Sequence, residues 1–455
     1  MGQRNRSIHS EILMRIFNSV SRHFIHCFFH DRDGSDMDLA GQVLRHGRSF
    51  QLPAESAQDA LIGFRELIRA CRRWSKPNGI QKRSNGKNVL ILGNGRVSKL
   101  VTDYIEKSSG VVIDTIIAKD ELTGGASLSI LEKLSFLWFG FKTSMQCLYA
   151  EDRVNRALLI RSVCTGMLIQ EFMGENRNLR IYNFVPFEID SNALALYWRG
   201  HEHHVVHIPS SGPLSTWNRI QLCDEIVFST PYHFEEYQVH KATMRFSKIL
   251  FWGPESAHTY FSKYEDTGLV GKKKVIGFYS HGSWLRMKLG HIQTEMNLHA
   301  AEDACVELII SFLKNNKDYS VIIFTHPRER KKDLWPQTEA HYKKIFNGTE
   351  WSFGDLNATS ASLFEECSIG ISTFSTIIYE RLYAGFKTIL CTKEIQGFPM
   401  KGSTLARLKF DDQEGMTRLI LDNDEISEEA FFSKYNIEGY AWKNRKRFEE
   451  ENTIH

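Results

Sequence analysis

KVIGFYSHG, residues 274–282, is the stretch on which the fold turns. A short apolar, β-branched run that ends in Ser-His-Gly reads as a buried strand entering a tight loop. The same grammar recurs at YSVIIFTHPRE (319–329), at SIGIST (368–373) with the helical TIIYERLYAG behind it, and at KTILCT (387–392). A long helix is expected after Gly282, through about Leu313. Strand, loop and helix in alternation specify an α/β class with a mostly parallel sheet.

Working back from residue 274, the pattern repeats. NVLILGNG (88–95) is an apolar run into a glycine turn, RVSKLVTDYIEKSSG a helix, and VVIDTIIAKD a second strand. RIYNFVPF (180–187), HVVHIP (204–209), EIVFST (225–230) and KILFWG (248–253) are further strands. Another is expected near MQCLYAED, followed by a helix from about Val154 to Phe172. The expected architecture is therefore two Rossmann-like domains facing a cleft, with a helical N-terminal appendage. The expected boundaries are a helical extension (1–85), an N-terminal Rossmann-like domain (86–253), a connector (254–273), a C-terminal Rossmann-like domain (274–430) and a helical tail (431–455).

Composition narrows the classes. The 455 residues hold 57 Lys+Arg and 54 Asp+Glu, a net charge of +3, which gives no global case for binding nucleic acid. The eight cysteines are scattered with no Cys-x-x-Cys pair, which argues against a zinc ribbon and a disulfide scaffold. The apolar stretch of the N-terminus is soon broken by Ser, Asn, Arg and His, and no run of about eighteen apolar residues occurs. A cytoplasmic protein is expected. Residues 1–85 carry fourteen Lys+Arg against eight Asp+Glu, with Ile12, Ile16, Val20 and Phe24 at helical spacing. A helical appendage packed on the body is the favoured reading. The alternative, peripheral contact of these basic helices with an anionic membrane, is opposed by Asp31, Asp33, Asp36 and Asp38 just behind them.

Four motifs carry chemistry. Gly93-Asn94-Gly95 before the helix at Ser98, with Asp120 ending the next strand, fits a dinucleotide turn, yet Ser98 replaces the third glycine. A structural turn is favoured. His201, His203, His204 and His207 suggest metal, but Val205 stands where a His-Glu-x-x-His helix needs its second histidine; an exposed polar strand edge is favoured. Glu188 and Asp190 follow the strand IYNFVPF, where burial could tune a catalytic base; Asp190 or Ser191 as a helix cap is the equal alternative. Ser210, Ser211 and Gly212 form a small polar loop that would admit a sugar or acceptor close to the backbone.

The fourth motif is a set. Ser280, His281, Gly282 and Ser283 end one strand, Thr325, His326, Pro327, Arg328 and Glu329 another, and Ser372, Thr373, Phe374, Ser375 and Thr376 link a third to a helix. The carboxyl-end loops of a parallel sheet converge, and hydroxyls, helix-start amides, a histidine and an arginine suit phosphate oxygens. Glu380, one turn beyond Thr376, could accept ribose hydroxyls. Singly, each has a structural explanation, such as Ser375 or Thr376 as a helix cap. Together they point to one anionic nucleotide site.

These residues resemble the carboxyl half of GT-B glycosyltransferases. The pattern of His326-Pro327 after a strand, then Ser375-Thr376 and Glu380, is most similar to bacterial sialyltransferases and capsule polysaccharide transferases that use CMP-activated sugars. It is loosely similar to teichoic-acid glycerophosphotransferases. The resemblance covers about residues 270–395, and the amino half matches in architecture only. It implies that His326 assists departure of the nucleotide, that Ser375 and Thr376, or Ser372 and Thr373, hold the phosphate, and that Glu380 lies near the ribose. The acidic base motif of the sialyltransferases has no counterpart in the amino half; its nearest triplet, Glu265-Asp266-Thr267, falls in the connector. Glu188 and Asp190 are the substitutes. The expected activity is transfer of a sugar, such as sialic or another nonulosonic acid, from a nucleotide donor to a glycan or glycolipid acceptor, with no cofactor and no essential metal. A nucleotide-sugar epimerase, a polyol-phosphate transferase and an NAD(P)-linked oxidoreductase are the alternatives.

Overall fold

The computed structural model describes residues 87–92, 98–118, 178–184, 195, 198–199, 202–209, 220–239, 243–256, 274–289, 298–373, 375–395 and 404–441. They fall into two compact units, one with residues up to 209, 216–227 and 242–250, the other with 210–215, 228–241 and everything from 251 onward.

The first unit is built on strands β1 (Asn88–Leu92), β2 (Thr115–Ala118), β3 (Arg180–Asn183), β4 (His204–His207), β6 (Glu225–Phe228) and β8 (Lys248–Phe251). Their order in the sheet is β2-β1-β3-β4-β6-β8, and helix α1 (Ser98–Ser109) connects β1 to β2. Neighbours β1–β2, β1–β3, β3–β4 and β4–β6 are parallel. Strands β5 (Ile220–Leu222) and β7 (Thr243–Arg245) pair separately. Helix α2 (Pro231–Val239) is grouped with the second unit. There Glu235 accepts the Thr404 amide at 3.1 Å, and the rings of His233 and Tyr379 lie 5.6 Å apart.

The second unit contains β9 (Val275–Tyr279), β10 (Ser320–Phe324), β11 (Trp351–Phe353), β12 (Ile369–Ser372), β13 (Thr388–Cys391) and β14 (Lys409–Phe410), in the order β11-β10-β9-β12-β13-β14. Every pair is parallel. The covering helices are α3 (Ser283–Lys288), α4 (Leu298–Asn315), α5 (Trp335–Ile345), α6 (Thr376–Tyr383), α7 (Gln413–Asp424) and α8 (Glu428–Tyr435). Ile276, Phe278, Val321, Ile323, Ile369, Ile371, Ile389 and Leu390 are all buried against Cys305, Ile309 and Phe312 of α4 and residues of the later helices. Helices on both faces explain why these strands read as unbroken apolar runs.

The α/β class with two Rossmann-like units is observed. In each sheet the chain leaves its first strand to one side and later returns to the other. This puts the topological switch points between β1 and β3 and between β9 and β12, and ligands of open α/β sheets bind outside the carboxyl ends of such strands. Residues 93–97 follow β1, and Glu188 and Asp190 follow β3.

Several expectations need correction. The single helix expected after Gly282 is two, α3 and α4. The boundary expected at 430/431 falls inside α8, whose Phe431 and Phe432 are buried in the main core. The histidines of β4 are not an exposed edge. The strand lies inside the sheet, and His203 and His207 are buried. Gly93, Asn94, Gly95, Asp120, Glu188, Asp190, His201, Ser210, Ser211, Gly212, the 1–85 extension and the segments MQCLYAED and 154–172 lie outside the described residues. No helix among the described residues is long and apolar enough to cross a membrane.

His207 has a consequence for stability. Its Nδ1 lies 2.9 Å from the Gln221 side-chain oxygen, its exposure is 0%, and burial lowers its pKa to about 4. A histidine with a depressed pKa supports folding above its unfolded value near 6.5, and that support is lost as pH falls towards 4. We expect His207 alone to cost on the order of 3 kcal/mol at pH 4. Urea titrations between pH 7 and pH 4.5 should show a loss that His207→Asn reduces.

Candidate functional site

The second unit's switch point is where the sequence set converges. Ser280 follows strand β9, and the chain turns at Gly282 with φ 63°, a left-handed conformation that caps the start of α3. A Cβ at Gly282 would stand 3.2 Å from Glu329 Cγ and 3.3 Å from His326 Cβ. The loops after β9 and β10 thus pack directly on each other, and glycine lets them do so.

A buried carboxylate that the sequence did not single out anchors this loop. Glu302, in α4, accepts from Ser280 Oγ at 2.6 Å, His281 N at 2.9 Å and Ser283 N at 2.8 Å. Burial raises its pKa, but the charge of His281 and these donors outweigh that and hold it below the usual value. Ser280 also accepts from Gly282 N and from Tyr342 Oη, each at 2.8 Å. Its hydroxyl is fully engaged by the fold.

The loop after β10 has its own anchor. Glu329 accepts from Trp284 Nε1 at 2.5 Å and His326 N at 2.7 Å, and Tyr342 Oη lies 3.0 Å away. Arg330 turns inward to Thr325 Oγ1 and the Thr325 carbonyl, both at 3.1 Å, and to the Ala358 carbonyl. Thr325 is therefore a strut as well. Pro327 and Arg328 are exposed.

His326 sits between cations. Its Nδ1 accepts the Arg328 backbone N–H at 3.1 Å, while its Nε2 lies 3.3 Å from an Nη of Arg286, on α3. A neutral imidazole has one lone-pair nitrogen, so these two contacts cannot both be hydrogen bonds. If Nδ1 accepts, Nε2 carries the proton and faces another donor. Two donors turned towards each other fit a shared acceptor, such as an anionic oxygen. Arg286 Nε is also buried with no hydrogen-bond partner among the described residues. Burial, then the charge of Arg286 and the neighbouring His281 and Arg328, lower the His326 pKa to about 4. Burial, then Arg328, lowers that of Arg286. His281, chiefly through burial, is also held at about 4. Each of these cationic forms is disfavoured as the site stands, and an anion would relieve them all.

On the far side of the switch point, Ser372 donates to the Tyr279 carbonyl at 3.1 Å and ties β12 to β9. Thr373 is 1% exposed, and its hydroxyl makes no hydrogen bond among the described residues. Ser375 caps α6, accepting the Ile377 N–H at 3.4 Å. Thr376 is exposed at the first turn, and Glu380 is half-buried on the same helix. Among the described residues no cluster of three or more His, Cys, Asp or Glu is placed to hold a metal.

The structure therefore unites Ser280, His281, Gly282, Ser283, Thr325, His326 and Arg328 around adjoining loops, with Ser372 and Thr373 across the switch point. The sequence motifs do not include Arg286 or Glu302, and Glu329, which closes the stretch Thr325–Glu329, has no assigned role in them. Arg286 carried a usable signal: it lies on the first helix after the glycine turn, one turn from Gly282. Glu302 did not, because it lies in the second turn of α4 beside Asp303 and reads as a solvated residue.

The fold and site define a two-unit α/β protein with Arg286, His326 and Thr373 placed around its second switch point. No protein-family model matches the chain, and no curated protein does. In fold it is similar to a Thermobaculum terrenum O-GlcNAc transferase mutant, with 10% identity, coverage of 86% of this chain and 72% of that one, and a TM-score of 0.35. It is similar to Methanocaldococcus jannaschii UDP-GlcNAc 2-epimerase in complex with UDP-GlcNAc and UDP, with 11% identity, coverage of 75% and 94%, and a TM-score of 0.43. An Anabaena protein in complex with UDP and glucose gives 9% identity, 81% and 100% coverage, and a TM-score of 0.40.

Proposed function

We propose that the chain is a GT-B glycosyltransferase that moves a sugar from a nucleotide donor, held by the second unit, to a glycan or glycolipid acceptor. The observation that carries this reading is the pair of opposed donors, Arg286 and His326 Nε2, at a switch point lined by Gly282 and the α6 amino terminus. Donor groups fixed around one missing acceptor suit a phosphate whose charge grows as the sugar–phosphate bond breaks. Arg286, Arg328 and His326 would hold that phosphate, and Thr373 and the α6 amides would complete it, with Glu380 near the ribose. A CMP-activated nonulosonic acid is the finer form of the proposal, drawn from the His-Pro and Ser-Thr-x-x-x-Glu pattern. Glu188 and Asp190 are proposed as the base, and Ser210, Ser211 and Gly212 as acceptor contacts.

A thermal-shift panel of CMP, UDP, GDP, ADP and NAD tests it. One nucleotide at about 100 times its Kd should add about 2.7 kcal/mol to the folded state by mass action. NAD as the sole stabilising ligand would sink the transferase reading. With the selected sugar nucleotide, an altered nucleotide sugar alone would mean an epimerase, and a phosphodiester product a polyol-phosphate transferase.

A further inference from the structure

Behind the phosphate loops, four side chains form a continuous chain: Glu302, Ser280, Tyr342 and Glu329. The contacts are Ser280 Oγ to Glu302 Oε1 at 2.6 Å, Tyr342 Oη to Ser280 Oγ at 2.8 Å, and Tyr342 Oη to Glu329 Oε1 at 3.0 Å. Three separate two-centre hydrogen bonds need three protons. The two hydroxyls supply one each, so in that arrangement one carboxyl supplies the third rather than Tyr342 sharing its proton between Ser280 and Glu329. Glu302 already receives the His281 and Ser283 amides, a pattern that stabilises the ionised form.

We propose that Glu329 carries this proton and is thereby a positioning residue: a neutral carboxyl that holds the His326 loop and Trp284 without setting a second negative charge beside the anion site. Its oxygens serve the His326 amide, the Trp284 indole and the Tyr342 hydroxyl, and it is 0% exposed. The charged groups facing it are Glu302 from α4, Arg286 from α3, and Arg330 on its own loop; burial and then Glu302 raise its pKa. One ionised carboxylate balances the three donors of the β9 loop. A second would oppose the incoming phosphate and strain the hydroxyl chain. The inference uses the anion site of the proposed function only for its consequence; the location of the proton stands on the ligand-free geometry.

The test has a ligand-free and a ligand-bound arm. In the full-length protein at neutral pH, infrared spectra should show the carbonyl stretch of a protonated buried carboxyl, lost in Glu329→Gln. A band that survives Glu329→Gln but disappears in Glu302→Gln places the proton on Glu302 and overturns the proposal, as does a band insensitive to both. A raised pKa means that the contribution of Glu329 to stability is complete below its unfolded value and is lost as pH rises through its folded value. Wild-type stability should therefore decline across that titration, and Glu329→Gln should not share the decline; an identical decline in both counts against the proposal. With inorganic pyrophosphate as the probe, Glu329→Ala should weaken binding about tenfold, and Glu329→Gln should recover it. Glu329→Gln as damaging as Glu329→Ala would overturn it. If pyrophosphate does not bind the wild type at all, the nucleotide reading fails, while the infrared and stability results still decide the position of the proton.

Discussion

Replacing Arg381 with methionine should remove about 3–5 kcal/mol of stability, enough to unfold a protein of ordinary stability. Arg381 lies on α6 and is 0% exposed. Its Nε donates to the Lys387 carbonyl at 3.1 Å, one Nη to Tyr279 Oη at 3.0 Å and the Phe364 carbonyl at 2.7 Å, and the other to the Cys367 carbonyl at 3.1 Å. The guanidinium also lies over the rings of Phe386, Phe364 and Tyr279, at 5.1, 5.4 and 5.8 Å from their centroids. No carboxylate forms an ion pair with it within 4 Å among the described residues, so carbonyl dipoles and ring faces stabilise the charge. Methionine would restore the volume but leave those acceptors without their donor, at about 1–3 kcal/mol for each that stays buried. Lysine should rescue little, because a point charge cannot reproduce four donors in one plane. Gly370 belongs to the same arrangement: a Cβ there would meet Arg381 Nε at 2.5 Å. Urea unfolding monitored by circular dichroism measures both substitutions, and an Arg381→Met midpoint close to wild type would refute the assignment.

Arg381 also shows why some of the structure was legible and some was not. Strand positions were readable because a strand covered by helices on both faces must be apolar along its whole length, as VIGFY and SVIIF are. Glycine turns were readable because Gly282 needs φ above zero. Short edge strands were not: β11 is Trp351–Phe353 and β14 only Lys409–Phe410, too few residues to show a period. Buried polar residues were the least legible. Arg381 and Glu302 stand among residues of an amphipathic helix, where a charge ordinarily marks the solvated face. Only the three-dimensional neighbours, Phe364 and Cys367 for one and Ser280 and Ser283 for the other, show that each points inward. Ser280, Thr325 and Ser372 teach the reverse: hydroxyls at the carboxyl ends of strands suggested ligand contacts, yet each is engaged in tying one loop to the next. Among the described residues, Arg286 Nε and the Thr373 hydroxyl have no hydrogen-bond partner.

Arg286→Ala should weaken binding of the selected nucleotide by about a hundredfold, the effect of losing a charge-assisted contact to phosphate in a partly desolvated site. His326→Ala should cost less in binding at pH 7.5, about tenfold, because a neutral imidazole donates one ordinary hydrogen bond. The two losses should not add: both groups face the same oxygen, so the double variant should bind only slightly worse than Arg286→Ala. The pH dependence separates their roles. Free His326 titrates at about 4, with burial and the charge of Arg286 holding it there. A bound anion offsets Arg286 and raises that value, so the complex takes up a proton that the free protein does not. Binding should therefore tighten as pH falls from 7 towards 5, and calorimetry in buffers of different ionisation enthalpy should detect proton uptake. His326→Ala should remove most of that uptake, whereas Arg286→Ala should alter it without abolishing it, since His326 would already titrate higher in the absence of the guanidinium. Additive losses, or uptake unchanged in His326→Ala, would mean that the two side chains do not share an anion, and the opposed donors at 3.3 Å would then need another explanation.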